Sequence, residues 1–300
     1  MTRLLQVSDA HFGTERDGSV EALVRLHAAL APELVVLSGD LTQRATAAQF
    51  AAARELADEF ARAGSAVFSL AGNHDVPLFA LWTRLLAPYR RYRRRFGSEA
   101  GFVHEDDALV LVGLNSTRHT RHKDGEVDAA QVERVAAALE SGAGAGQGDG
   151  RVRAVVMHHP VHAIRPQDEE NLVHGGEAAV RRWAEAGVDL VIGGHVHLPY
   201  VSPLAERYAG LASPVWAVQA GTALSRRTRG GIPNSVNLIE TAPERHCRVE
   251  RWDFEAGARE FRLHGAETLA LDERRPARAA DGPTDPLQPA TDVLAPGRPG

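Results

Sequence analysis

The 300-residue chain has a single cysteine, Cys247, so no disulfide can join two parts of it. A lone cysteine is typical of proteins that fold in a reducing compartment. The sequence also has no apolar leader after Met1, and no run approaches the roughly 18 apolar residues of a membrane-spanning helix. These absences predict a cytoplasmic protein with no membrane span.

The chain has no excess of basic residues either: it contains 34 Lys and Arg and 39 Asp and Glu, so its formal net charge is −5. Proteins that hold long nucleic acids carry the opposite balance, so we expect no such partner. The chain is long enough to bury a full core, and 44% of it is hydrophobic. It contains no motif of a nucleophilic serine or a reactive cysteine. The sequence leaves formation of a homo-oligomer open.

Five short motifs rich in histidine and aspartate each follow an apolar run that is typical of a buried strand. They are Asp9-Ala10-His11, Gly39-Asp40, Gly72-Asn73-His74-Asp75, His158-His159-Pro160 and Gly194-His195-Val196-His197. Side chains just beyond the carboxyl ends of strands in an α/β sheet share one crevice. Residues two apart in an extended segment point the same way. We therefore expect Asp9 with His11, and His195 with His197, each to reach toward a common point.

Counting one ligand for each metal-facing position, the motifs supply four imidazoles, two carboxylates and one amide oxygen. These donors suit Mn, Fe, Co or Zn, whereas a histidine-rich set is unusual for calcium. A carboxylate can bridge two cations about 3.5–4 Å apart, the spacing used for displacement at phosphorus. Glycines at 39, 72, 193 and 194 permit tight turns and let the backbone approach an anion. The inventory indicates two divalent metal ions and a small phosphoester substrate.

The ordered motifs resemble those of the calcineurin-like metallophosphoesterase superfamily, over roughly residues 3–240. The resemblance implies two metal sites that share Asp40 as a bridging ligand. One would be formed by Asp9, His11, Asp40 and His197, and the other by Asp40, Asn73, His158 and His195. In the family's His-x-Pro form of the fourth motif the first histidine is the ligand, which selects His158 over His159.

His74 matches the family's histidine that faces the phosphate without binding a metal. The resemblance implies that it stabilises charge or protonates the leaving oxygen, and that Asp75 orients it as a carboxylate partner. The alternative for Asp75 is a purely structural one, in which its carboxylate accepts hydrogen bonds from the amides of the turn.

Softer matches at 7–12, 38–42 and 219–222 are similar to the bacterial class III cyclic-nucleotide phosphodiesterase branch. The resulting hypothesis is a dinuclear phosphodiesterase for a small diester, such as a cyclic nucleotide or a glycerophosphodiester. Rivals within the superfamily are a phosphomonoesterase, a nucleotide-lipid pyrophosphatase and a repair-type nuclease, the last disfavoured by the acidic charge. A non-catalytic scaffold is the rival of a different class, and it predicts missing ligands where this sequence lacks none.

Strands that alternate with helices predict an α/β layered sandwich. The resemblance implies a four-layer α-β-β-α sandwich of two packed mixed sheets. Beyond the motif strands we expect helices at 19–31, 46–63, 128–140 and 176–187, strands at 109–114, 215–220 and 235–240, and edge strands at 246–254 and 258–263. Residues 1–271 would form one domain, followed by a disordered tail at 272–300.

Two groups of arginines lie outside the motifs. The run at 90–95 could bind a phosphate-bearing partner. Alternatively, it forms the solvated face of a helix whose Tyr89, Tyr92 and Phe96 pack inward. The near-helical spacing of these aromatic residues favours the helix. Arg226, Arg227 and Arg229 follow the fifth motif, where a phosphate contact and a solvated loop fit the sequence equally well.

Overall fold

Two six-stranded mixed sheets form the centre of the molecule. The computed structural model describes residues 1–78, 81–121, 123–141, 150–242 and 245–271. The strands are β1 (Thr2–Val7), β2 (Leu34–Ser38), β3 (Ala66–Leu70), β4 (Gly101–Glu105), β5 (Leu109–Leu114), β6 (Val152–Val156), β7 (Leu190–Gly193), β8 (Tyr200–Pro203), β9 (Trp216–Gln219), β10 (Ser235–Ala242), β11 (His246–Glu255) and β12 (Glu260–Thr268). The helices are α1 (Ser19–Leu30), α2 (Ala47–Arg62), α3 (Leu81–Leu86), α4 (Arg90–Phe96), α5 (Ala129–Ser141) and α6 (Gly176–Glu185).

Each sheet contains a run of neighbouring parallel strands, and the candidate motifs follow strands of these runs. The first sheet runs β12-β11-β10-β1-β2-β3, with β1, β2 and β3 parallel. The second runs β4-β5-β6-β7-β9-β8, with β5, β6, β7 and β9 parallel. Motifs one to three follow β1, β2 and β3, and motifs four and five follow β6 and β7. The polar residues of both sheets therefore collect at the carboxyl ends of parallel strands.

A central core lies between the sheets, because alternate residues of each strand point to opposite faces. Leu4 of the first sheet and Leu111 of the second belong to this core. Leu5, next along β1, packs instead with α1 and α2, while Val112 packs with α5 and α6. The sheets thus have helices on both outer faces, which confirms the predicted four-layer α-β-β-α sandwich.

The predicted helices are present within one or two residues of their expected ends. Tyr89, Tyr92 and Phe96 are buried around α4, so the inward packing expected for the arginine run is also observed. The prediction that 246–254 forms an edge strand was wrong, because β11 pairs with β10 on one side and β12 on the other. Strands β4 and β8 were not predicted.

The described residues end at Leu271, which packs against the central core. Residues 1–271 therefore remain our proposed domain, and the disordered tail expected at 272–300 lies outside the described residues. None of the helices in the described ranges combines the length and the hydropathy needed to span a bilayer.

Candidate active site

The candidate ligands lie on turns with an unusual backbone. Positive φ angles occur at Asp9 (51°), His11 (46°), Asp40 (51°), His195 (72°) and His197 (54°). The extended geometry expected for the first and fifth motifs was therefore wrong: the chain turns through the left-handed region directly after each strand. Aspartate and histidine tolerate this region better than most residues, and such strain is concentrated at functional sites.

A first group of side chains consists of Asp9, His11 and His197. The Nε2 atoms of the two histidines are 3.0 Å apart, and Asp9 Oδ1 lies 3.2 Å from His197 Nε2 and 3.8 Å from His11 Nε2. Two ligand atoms bound to one ion at about 2.0–2.1 Å are themselves roughly 3.0–3.4 Å apart. The spacing of this group therefore fits donors around a single cation.

A second group brings His158 and His195 together, with Asn73 buried at the edge of the same cleft. His159 belongs to the same cluster of rings, but both of its nitrogens already have partners. Its Nδ1 lies 2.9 Å from Ser116 Oγ and its Nε2 lies 3.0 Å from Lys123 O. His159 thus has no ring nitrogen left for a metal, which supports the choice of His158.

Asp40 lies between the two groups. Its Oδ2 is 3.6 Å from His11 Nε2, and its Oδ1 is 3.4 Å from His158 Nε2 and accepts a hydrogen bond from His74 N at 2.8 Å. One oxygen therefore faces each group, which is the arrangement that a bridging carboxylate needs. The two histidines of the fifth motif also belong to different groups, because His197 lies with the first group and His195 with the second.

Several inward-facing atoms are buried without a hydrogen-bond partner in the described part of the chain. They are Asp9 Oδ1, His158 Nε2 and both ring nitrogens of His195. An unsatisfied buried polar atom costs about 1–3 kcal/mol, so such a concentration calls for an explanation. Carboxylate and imidazole lone pairs that converge in this way fit divalent cations.

Backbone carbonyls fix the orientation of two of these rings. His158 Nδ1 lies 3.1 Å from Ser38 O, and His197 Nδ1 lies 2.7 Å from Arg227 O. A carbonyl accepts only, so each Nδ1 donates and Nε2 is the ring nitrogen that faces the cleft. Asp9 is held similarly, since Oδ2 accepts from Ser8 Oγ (2.6 Å) and His195 N (2.9 Å) and Oδ1 remains.

The electrostatics of the site divide its histidines into two classes. Burial lowers the pKa of His11 and of His195 to about 3, so both are neutral lone-pair donors at pH 7. Burial acts in the same direction on His158, but the negative charge of the neighbouring Asp40 outweighs burial and raises the pKa of His158 to about 9. The charge of Asp9 likewise raises the pKa of His197 against the effect of burial.

His74 is half-buried, and its ring lies between a carbonyl and a guanidinium group. Its Nδ1 is 3.0 Å from Gln43 O, and its Nε2 is 3.2 Å from Arg227 Nη1, which also donates to Gln43 Oε1 at 3.2 Å. Nδ1 therefore donates to the carbonyl, and Nε2 faces the cleft. Sequence reasoning missed Gln43, and it left Arg227 undecided because nothing in the local pattern links Arg227 to a residue 153 positions earlier.

The expected contact between Asp75 and the His74 ring was wrong. The Asp75 carboxylate accepts hydrogen bonds from the amides of Leu41 (3.0 Å), Thr42 (2.8 Å) and Gly72 (2.9 Å), and from Thr42 Oγ1 (2.8 Å). These bonds oppose burial and the charge of Asp40, which together raise the pKa of Asp75 to about 6. Asp75 therefore joins the second and third motifs and sets the position of Asp40 and His74 through their backbone.

The softer match at 219–222 also has a structural role. Gln219 Nε2 donates to Gly194 O, and Thr222 Oγ1 donates to Asp9 O at 2.6 Å. Gln6 Nε2 donates to Gly193 O at 2.8 Å from the neighbouring sheet. These buried bonds position the first and fifth motifs relative to each other.

The cleft above these residues is open and has a volume of about 620 Å³. Its walls combine the candidate ligands with residues of three loops, among them Lys123, Gln167, Asn171, Arg227 and Arg229. Arg229 forms an ion pair with buried Asp168 at 2.5 Å and donates to Val196 O at 3.2 Å. Arg229 thus ties two of the loops to the fifth motif.

A model of the calcineurin-like phosphoesterase family matches residues 2–199, about two thirds of the chain. The protein therefore belongs to the calcineurin-like phosphoesterase family. Membership implies a metal-dependent phosphoester hydrolase with a dinuclear divalent-metal site. No curated protein matches the sequence.

Solved structures with the same fold share little sequence with this chain. A purple acid phosphatase from yellow lupin (Lupinus luteus) seeds has a TM-score of 0.68 at 12% identity, covering 94% of this chain and 57% of its own. The chain thus spans little more than half of the lupin enzyme. A dimetal phosphatase from Danio rerio has a TM-score of 0.61 at 14% identity, and the match covers 90% of this chain and 99% of the phosphatase. GAP50, the anchor in the inner membrane complex of Plasmodium, has a TM-score of 0.57 at 11% identity, and the match covers 91% of this chain and 90% of GAP50.

Metal binding is expected to release protons at pH 7. The neighbouring Asp40 carboxylate raises the pKa of His158 to about 9, so a cation must displace its Nε2 proton, and affinity should rise with pH toward 9. Calorimetric titration with Mn²⁺ in buffers of different ionisation enthalpy measures the protons released. A heat that is independent of the buffer would show that His158 is already neutral.

Gly72→Ala is expected to weaken metal binding about 10–100-fold, the range seen when groups around metal ligands are changed. A Cβ at this position would collide with Asp40 N and Asp40 Oδ1. Mn²⁺ affinity, measured by the same titration, tests this. Gly257→Ala is the matched control, because a Cβ there meets nothing within 4 Å. Wild-type affinity in Gly72→Ala would contradict the placement of Asp40.

Proposed function

We propose that this protein is a dinuclear metal-dependent phosphodiesterase that hydrolyses a small phosphodiester, such as a cyclic nucleotide or a glycerophosphodiester. The position of Asp40 carries the proposal, because one of its oxygens faces His11 and the other faces His158. Two groups of donors that share one carboxylate match the arrangement used for in-line displacement at phosphorus.

In this proposal seven residues hold the metals, and Asp40 belongs to both sites. The first set is Asp9, His11, Asp40 and His197, and the second is Asp40, Asn73, His158 and His195. Two divalent cations held there would supply Lewis acidity and would lower the pKa of a bound water. The mixed nitrogen and oxygen donors suit Mn, Fe or Zn.

His74 is the proposed acid for the departing ester oxygen, with Asp75 as the residue that positions it through the backbone. The Gln43 carbonyl accepts from Nδ1, so a proton that His74 gives to the leaving oxygen would be carried on Nε2, toward the cleft. That proton would place two positive charges 3.2 Å apart, at His74 Nε2 and Arg227 Nη1. The repulsion is relieved when the Arg227 guanidinium turns to a phosphoryl oxygen of the substrate.

Space on both sides of His74 supports a diester over a monoester. The cleft above the candidate ligands and a second pocket meet at Asn73 and His74. A diester has two organic groups to accommodate, whereas a monoester has one. A phosphomonoesterase or a nucleotide-lipid pyrophosphatase is the alternative within the family. A non-catalytic scaffold accounts less well for seven candidate ligands that are all present and grouped.

The proposal includes a cytoplasmic location and a small-molecule substrate. Cys247 is buried, and burial raises the pKa of its thiol to about 12, so it offers no reactive thiolate. The formal charge of −5 disfavours long nucleic acid as the substrate.

The manganese-loaded protein is expected to hydrolyse bis(4-nitrophenyl) phosphate faster than 4-nitrophenyl phosphate, measured as kcat/KM from nitrophenolate absorbance. Asp40→Asn should remove activity on both, since it removes the shared carboxylate. Asp107→Asn, at an exposed carboxylate, is the matched control, with circular dichroism to check folding. Faster monoester hydrolysis would make the protein a phosphatase. Full activity of Asp40→Asn would contradict the two-metal proposal.

His74→Ala is expected to slow a phenyl diester by about 10²–10⁴-fold, the usual contribution of general acid catalysis. The loss should be smaller for a 4-nitrophenyl diester, because nitrophenolate leaves readily without a proton. Steady-state rates on the two diesters, with the Mn²⁺ affinity of the variant as a check, measure the difference. An equal loss on both diesters would assign His74 to charge stabilisation alone.

A further inference from the structure

The second pocket beside His74 has walls of its own. It has a volume of about 330 Å³ and shares only Asn73 and His74 with the cleft above the candidate ligands. Val76, Pro77 and Leu78, which directly follow the third motif, give it an apolar side. The chain that carries His74 therefore continues into this pocket.

The charged residues on the other walls of the pocket are arginines, and none of its described lining residues is acidic. Arg91 Nη1 donates to Ala45 O at 2.8 Å, and Arg84 donates to the carbonyls of Arg121 and Pro77. Within the described residues, neither Arg84 nor Arg91 forms an ion pair with a carboxylate. Each guanidinium is thus held in place by neutral acceptors and keeps further N–H donors and its full charge.

Helix α3, which supplies Arg84, also carries exposed apolar side chains. Trp82, Leu85 and Leu86 are 79%, 59% and 79% exposed, although large apolar side chains are normally covered. The apolar wall at Val76, Pro77 and Leu78, together with the guanidinium groups of Arg84 and Arg91, matches a ligand that is itself apolar and anionic.

We propose that this pocket, here called the Arg91 pocket and defined by Val76, Leu78, Arg84 and Arg91, holds the leaving group of the phosphodiester. It selects a leaving group with an apolar body and its own negative charge, such as an aryl carboxylate. This inference rests on the proposed function, because His74, the proposed acid for the leaving oxygen, forms the border of the pocket. The other ester group then occupies the cleft toward Lys123 and Asn171.

Two methyl aryl phosphates test the proposal, one with a phenyl and one with a 4-carboxyphenyl leaving group. The metal-loaded wild type is expected to show the higher kcat/KM for the carboxyphenyl diester. Arg91→Gln should lower that preference about two- to fivefold, the effect of one partly exposed charge pair. Arg91→Lys should restore most of it, because it keeps the charge.

Arg94→Gln is the matched control, since Arg94 lies on the same helix, is exposed and does not line the pocket. It should retain the wild-type preference. An equal loss of preference in Arg94→Gln and Arg91→Gln would show that the net charge of α4, and not the Arg91 pocket, selects the substrate. A preference unchanged in Arg91→Gln would overturn the proposal.

A binding measurement separates failure of this proposal from failure of the proposed function. Saturation-transfer NMR compares 4-hydroxybenzoate with phenol on the metal-loaded wild type, Arg91→Gln and Arg94→Gln, and it needs no turnover. Tighter binding of 4-hydroxybenzoate that only Arg91→Gln weakens supports the pocket even if neither diester is hydrolysed. Binding that Arg91→Gln leaves intact refutes the pocket even if the diesters are hydrolysed.

Discussion

The carboxylate of Asp40 is the group on which the arrangement of this site depends. Its oxygens lie 3.6 Å from His11 Nε2 and 3.4 Å from His158 Nε2, although these histidines follow strands of different sheets. The two contacts hold only while the sheets keep their relative position, which the central core fixes. Gly72 shows how little room remains, because a side chain there would displace Asp40.

The conformation of the loops around Asp40 is fixed by contacts within the protein. Left-handed residues, each costing about 1–3 kcal/mol, persist because buried hydrogen bonds from neighbouring loops determine their conformation. Asp75 binds the backbone of two motifs, and the carbonyls of Ser38 and Arg227 orient two rings. The outcome is a set of lone pairs directed inward with like charges close together. Divalent cations would satisfy those lone pairs and offset that repulsion, so metal binding would stabilise the folded state.

Much of this arrangement could be predicted from the sequence, because the motifs are local. An apolar run followed by a polar ligand predicts both the strand and the ligand at its end, and the spacing of Tyr89, Tyr92 and Phe96 predicts α4. The backbone of Asp9 and His11 could not be predicted in the same way, since left-handed turns have no pattern of their own outside glycine. The Gln43–His74–Arg227 contacts depend on residues distant in the chain that only tertiary folding brings together. The interior position of β11 depends on β12, which no local pattern reveals.

The central claim is that Asp40 bridges two cations. Anomalous diffraction from crystals of the manganese-loaded protein, collected at the manganese absorption edge, tests it most directly. The account predicts two anomalous peaks per chain about 3.5–4 Å apart, with the Asp40 carboxylate between them. A single peak, or two peaks with Asp40 bound to only one, would contradict it.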